Sequence, residues 1–87
     1  MTDAKILLYG TDWCGDCFRA RRFLEKNNIT YQWINIDKDK TAEQFVLKTN
    51  RGMRSVPTLV FSDGSILVEP STVELANKLS TQKTSFR

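Results

Sequence analysis

Cys14 and Cys17 are the residues of this chain whose type and spacing could do chemistry. They stand in the stretch Thr11-Asp12-Trp13-Cys14-Gly15-Asp16-Cys17. Two thiols three positions apart at the start of a helix are placed to exchange a disulfide. The first sulfur lies at the exposed helix end, and the second sits about one turn in, facing the body. The attacking species in that exchange is a thiolate, which backbone N–H groups at a helix start and nearby cations both favour. Arg19, Arg21, Arg22 and Lys26 supply cations, although they read first as a solvated helix face. Asp12 and Asp16 work the other way, because a neighbouring carboxylate disfavours a second negative charge. The expectation is a moderately activated Cys14 as nucleophile and Cys17 as resolving thiol.

A pair used in this way needs a strand-to-helix junction to hold it, and the chain supplies one. Ile6-Leu7-Leu8-Tyr9 is a short apolar run of the kind found in strands buried on both faces, broken by Gly10 and Thr11. From Cys14 the pattern turns helical: Cys17, Ala20 and Leu24 share one face, Phe23 flanks it, and Asn27-Asn28 end it. Ile29 to Ile36 reads as a second strand and Asp37 to Lys40 as a charged turn. Thr41 and Gln44 fit a capping box that opens a second helix, with Phe45, Val46 and Leu47 as its buried face and Asn50-Arg51-Gly52 as its stop.

Leu59-Val60-Phe61 is a third strand, and Asp63-Gly64 a hairpin signal before the returning strand Ile66-Leu67-Val68. A second capping box, Ser71 to Glu74, opens a third helix with Leu75, Ala76 and Leu79 inward. Residues from about Thr81 are polar and expected to fray. The order is β-α-β-α-β-β-α. The first two strands, joined through a helix, should be parallel by the crossover rule, and the last two antiparallel. The expected class is α/β, a four-stranded mixed sheet flanked by three helices.

Composition narrows the function classes. Eighty-seven residues make one small domain, 1–87, whose apolar share of 40% and charged share of 26% are those of an ordinary globular chain. A net charge of +3 is too small to argue for nucleic acid, and no apolar run approaches a membrane span. The N-terminus lacks signal-peptide character, so the cytoplasm is expected, where two nearby cysteines are more often catalytic or metal-binding than a staple. With no histidine and two cysteines, one chain cannot complete a four-ligand zinc or cluster site. No metal is expected.

Cys-Gly-Asp-Cys, Val56-Pro57-Thr58 and this strand order together resemble the thioredoxin fold, and within it the glutaredoxin family. The likeness spans about residues 4 to 80. It is most specific to the mycoredoxin-like branch of small glutaredoxins, in Trp13-Cys14-Gly15-Asp16-Cys17, Arg54-Ser55-Val56-Pro57-Thr58, and an Asp-Gly-Ser hairpin followed by Pro70 and Ser71. Two departures stand out. The Gly-Gly-x-Asp-Asp segment of many glutathione-binding members is here Leu67-Val68-Glu69-Pro70-Ser71, and Thr11 stands where those members carry a lysine. Trp13-Cys14-Gly15 is also similar to thioredoxin, whose motif continues with a proline where Asp16 stands here.

The resemblance implies a thiol–disulfide oxidoreductase acting as a monomer on protein disulfides or mixed disulfides. It implies no bound cofactor, and glutathione or mycothiol as a low-molecular-weight co-substrate. It also implies that Pro57 follows a cis bond and faces Cys14, leaving the Val56 backbone to pair with an extended thiol ligand. Ser71 and Thr72, at a helix start, are candidates for binding a carboxylate of the small thiol as well as for capping. Thr11, Trp13 and Arg54 complete the candidate binding residues, the last as a ligand for an acidic group. Tyr31, Trp33, Phe45 and Phe61 read as core or sheet-face residues. Two other functions fit the resemblance: an iron–sulfur carrier bridged by small thiols as a dimer, and a donor to ribonucleotide reductase fed by thioredoxin reductase. The tryptophan-serine-glycine-phenylalanine segment of that donor branch is absent near Val68 to Ser71.

Overall fold

The computed structural model describes residues 5–81. They form β1 (Ile6–Gly10), α1 (Gly15–Lys26), β2 (Tyr31–Asn35), α2 (Lys40–Thr49), β3 (Thr58–Val60), β4 (Ile66–Val68) and α3 (Thr72–Thr81). The sheet order is β2-β1-β3-β4. β1 runs parallel to β2 and antiparallel to β3, and β3 and β4 form the antiparallel hairpin. The expected α/β class and element order are therefore observed.

β1 is central because its residues serve both faces. Ile6, Leu8 and Gly10 are buried, while Leu7 and Tyr9, pointing the other way, are half-buried. The strand is thus sealed on one face and partly open on the other, rather than buried on both. On the sealed side Ile6, Leu8, Leu59 and Phe61 pack against Ala20 and Leu24 of α1 and Leu75 and Leu79 of α3. On the other side Ile36, Ala42 and Val46 gather Tyr9, Ile34, Phe45 and Val56 around α2. Tyr9 and Phe45 meet there with ring centroids 4.9 Å apart, a separation at which aromatic pairs attract.

The helix ends follow local chemistry. α1 closes through Asn27, and Asn28 takes φ 57°, a left-handed position that asparagine tolerates. α2 differs from expectation. Its cap is Asp39, whose Oδ1 accepts the Ala42 N–H at 3.0 Å, so Thr41 lies inside the first turn and no Thr41–Gln44 box forms. Aspartate is the better cap, and it stands two positions before Thr41 in a run of alternating charges. α3 has the expected reciprocal box: the Ser71 N–H donates to Glu74 Oε1 at 2.8 Å and the Glu74 N–H to Ser71 Oγ at 3.1 Å. Gly64, at φ 88°, makes the tight hairpin between β3 and β4 possible. The expected frayed tail beyond Thr81 lies outside the described residues.

Candidate active site

The site forms where β1 ends and α1 begins. Gly10 closes the strand, and the chain crosses Thr11 to Trp13 to reach Cys14, the N-cap of α1, in extended conformation at φ −90° and ψ 117°. Helices leave their first N–H groups without internal partners, and a cap usually offers an oxygen. Here the acceptor is sulfur: Cys14 Sγ receives the Cys17 N–H at 3.1 Å. The positive end of the helix macrodipole therefore bears directly on that atom. The Cys14 thiol faces the Val56 carbonyl oxygen at 3.9 Å. The Val56–Pro57 bond is cis, Pro57 is buried, and its own carbonyl accepts the Glu69 N–H at 2.8 Å. Cys14 is partly exposed, and its sulfur lies on the same side as the proline loop.

Cys17 lives in a different medium. It is free, 1% exposed, and points inward from α1. A Cβ on Gly10 would lie 2.6 Å from its sulfur and 2.9 Å from the Trp33 ring, so only glycine fits beneath it. Burial pushes the Cys17 thiol up to about 12, with further upward contributions from its hydrogen bond with Cys14 and from the charges of Cys14 and Asp16. A hydrogen bond with the Thr11 backbone pulls the other way. Gly10 is a site residue that the sequence presented only as a strand breaker.

A chain of polar contacts runs along one flank. Trp13, 70% exposed, donates its indole N–H to Asp37 Oδ2 at 3.0 Å. Arg54 Nη2 donates to Asp37 Oδ1 at 2.6 Å, and Arg54 Nε donates to Glu43 Oε2 at 2.8 Å. Asn35, the last residue of β2, donates to Asp12 Oδ2 at 3.1 Å and accepts the Asp37 backbone N–H at 2.9 Å. The Arg54 guanidinium, with help from the Trp13 indole, holds the Asp37 carboxyl below its usual range. Arg54, expected as a ligand for an acidic group, here has two carboxylate partners of the chain itself. Asn35 and Asp37 were not singled out by sequence, because a charged turn after a strand ordinarily signals only solvation.

Thr11 is 1% exposed and its hydroxyl has no hydrogen-bond partner among the described residues, so it lies beneath the surface and not on it. The arginines of α1 are engaged as well. Arg19 pairs with Asp16, Arg21 lies 4.1 Å over the Trp33 ring and donates to the Tyr31 hydroxyl, and Arg22 lies over Phe18. They form a structured face instead of a loose basic field aimed at Cys14.

The opposite flank is a groove of about 380 Å³ between the starts of α1 and α3. Asp16, Arg19, Glu69, Ser71, Thr72 and Glu74 supply its polar lining. Ser71 and Thr72 therefore share a groove with Asp16, two positions from Cys14. The Glu74 carboxylate takes the Ser71 N–H at the α3 start, and three carboxylates face one guanidinium. That balance disfavours a second anion.

The glutaredoxin family model matches residues 6–66. A putative glutaredoxin of Mycobacterium tuberculosis is 42% identical over 79 residues, covering 91% of this chain and 94% of that one. Mycoredoxin 1 of Corynebacterium glutamicum is 33% identical over 76 residues, covering 87% and 94%. Among solved structures, the crystal structure of the thioredoxin-like protein BC3987 superposes with a TM-score of 0.72 at 28% identity, covering 83% of this chain and 96% of that one.

Proposed function

The chain belongs to the glutaredoxin family and is a thiol–disulfide oxidoreductase, and from that premise we propose that Cys14 is its nucleophile, Cys17 its resolving thiol and mycothiol its small-thiol reductant. The observation that carries the assignment is the Cys17 N–H on Cys14 Sγ at 3.1 Å, with the Val56 carbonyl across from it at 3.9 Å. A reactive sulfur held by a helix start beside an open backbone edge is what an incoming disulfide requires.

The Cys14 thiolate attacks one sulfur of a substrate disulfide. A new Cys14–S–S–R bond forms, the old S–S bond breaks, and the departing thiolate takes a proton from water. In the dithiol route Cys17 then loses its proton and attacks Cys14 Sγ. That step releases the second substrate thiol and leaves a Cys14–Cys17 disulfide, which two small thiols reduce while becoming a disulfide themselves. In the monothiol route Cys14 takes the small thiol from a protein mixed disulfide, and a second small thiol frees it. The reading takes the protein as a monomer with no bound cofactor.

The groove favours a neutral ligand. Glutathione brings two carboxylates and one ammonium, whereas mycothiol is an uncharged sugar–inositol amide rich in hydroxyls. Asp16, Glu69 and Glu74 repel carboxylates, while the same groups with Ser71 and Thr72 can hydrogen-bond hydroxyls. The similarity to a protein named mycoredoxin 1 is in keeping with this choice. Trp13, Val56 and Pro57 would border the thiol end of the ligand.

The test is to present the reduced protein with mixed disulfides of one peptide carrying either mycothiol or glutathione. Mycothiol should be removed with about tenfold higher kcat/KM, the ratio that 1.4 kcal/mol of differential binding produces. Equal rates, or a preference for glutathione, would sink the thiol assignment. Cys17→Ser should keep this activity and lose the reduction of intramolecular protein disulfides. Loss of both would sink the monothiol route.

A further inference from the structure

Two loops make the walls of the Cys14 site. One carries Trp13 and Cys14, the other carries Arg54 to Pro57, and they arrive from distant parts of the sequence. We propose that Asp37 is a positioning residue, a single carboxylate that fastens both loops and so sets the Cys14 sulfur against the Val56 carbonyl. Its two oxygens are divided between the walls: Oδ2 takes the Trp13 indole N–H at 3.0 Å, and Oδ1 takes Arg54 Nη2 at 2.6 Å. Arg54 is in turn anchored to α2 through Glu43. Asn35 fixes Asp37 from below by accepting its backbone N–H, and it grips the cysteine loop a second time through Asp12.

The chemistry requires a carboxylate. Both neighbours are donors that cannot accept, so the residue between them must accept on both sides. Aspartate does so. Asparagine has one accepting oxygen, and its NH₂ would be pressed against either the indole N–H or the guanidinium. The Arg54 fork matters too, because its Nε and Nη2 reach two different carboxylates at once, which a lysine ammonium cannot reproduce in that geometry. The cluster is largely exposed, and pairs of this kind contribute little to folding. Its effect belongs to alignment, where small misplacements of reacting groups slow a reaction disproportionately.

The inference rests on Cys14 being the attacking thiol, and the experiment separates the two ideas. Asp37→Asn, Arg54→Lys and the double variant are compared with the parent in three measurements: kcat/KM on a peptide disulfide, the rate of Cys14 alkylation by iodoacetamide, and the NMR shift of the Trp13 indole N–H. Asp37→Asn should lower kcat/KM about tenfold and displace the indole resonance, with thermal stability nearly unchanged. Alkylation by the small reagent, which needs no docking, should stay within about twofold of the parent rate. The double variant should be no slower than Asp37→Asn alone, because both changes open the same bridge. Parental turnover in Asp37→Asn, an unmoved indole resonance, or losses that multiply in the double variant would each overturn the clamp. Alkylation that fails to find Cys14 as the reactive thiol would instead overturn the underlying assignment.

Discussion

Cys14 and Cys17 are the same residue type one helical turn apart, and the protein surrounds them with opposite media. Cys14 caps a helix, touches solvent and faces a carbonyl. Cys17 is packed between Gly10, the Trp33 ring and the Thr11 backbone, with its thiol pushed up to about 12 chiefly by burial. The difference teaches how a two-cysteine motif acquires a direction. One sulfur is kept available for attack from outside. The other is kept protonated, so that it competes poorly for substrates and acts once its neighbour has been modified.

The largest effect comes from the floor beneath Cys17. Gly10→Ala forces a Cβ to 2.6 Å from Cys17 Sγ and 2.9 Å from Trp33. Overpacking of this kind destabilises by about 1–3 kcal/mol. Each kcal/mol lowers the melting temperature of a domain this size by about 4–8 °C. Calorimetry reads the effect, and a variant melting with the parent would show that the floor under Cys17 is softer than described.

A pH series sharpens the same contrast. When Cys14 is tied up in a mixed disulfide, its charge and its hydrogen bond no longer raise the Cys17 thiol, but burial still does. The closing step that releases substrate should therefore accelerate about tenfold per pH unit between roughly pH 7 and 9, tracking the ionised fraction of a thiol that titrates higher still. Stopped-flow release of a chromophoric thiol measures it, and a flat profile would contradict the protected state of Cys17. The same shift has a sign for stability. The folded thiol titrates above its ordinary value of 9.0, so its contribution is intact below about pH 9 and is lost as pH rises from there toward 12. Cys17→Ser should lack that component in pH-dependent unfolding.

The smallest effect lies on the Cys14 side. Asp16 stands in the motif as an opposing charge, but it pairs with Arg19 on a solvent-exposed surface. Much of its field is spent on that partner or screened. Asp16→Asn should raise the iodoacetamide rate at Cys14 by only about twofold. A tenfold rise would mean that the carboxylate acts on the sulfur in spite of Arg19.

Much of this was legible in the chain itself, for reasons that differ by element. The β1–α1 junction could be read because an apolar run, a break and a three-residue thiol spacing coincide. The Ser71–Glu74 box could be read because both of its partners lie within four residues. The Asp39 cap was obscured, since Asp37 to Thr41 offers several acceptors and only packing of Ala42 and Val46 selects the register. The clamp was invisible for another reason. Asp37 meets Trp13 and Arg54 across 24 and 17 positions of sequence, and no local pattern encodes a contact at that distance. Gly10 belongs to the same class, because its requirement is set by a sulfur and a ring brought over it by α1 and β2.

The polarity of α3 has a practical consequence. The helix starts at the groove lined by Asp16 of the cysteine motif, and its ten residues span about 15 Å. Its far end is moored at the β3–β4 turn by Lys78, which reaches Asp63. β1 likewise begins beside that turn, with Leu7 opposite Val60, and ends at the cysteines. Both ends of the described chain thus leave from the pole remote from the sulfurs. A fluorescent reporter or an electrode tether carried on the β3–β4 turn would leave the redox pole pointing outward.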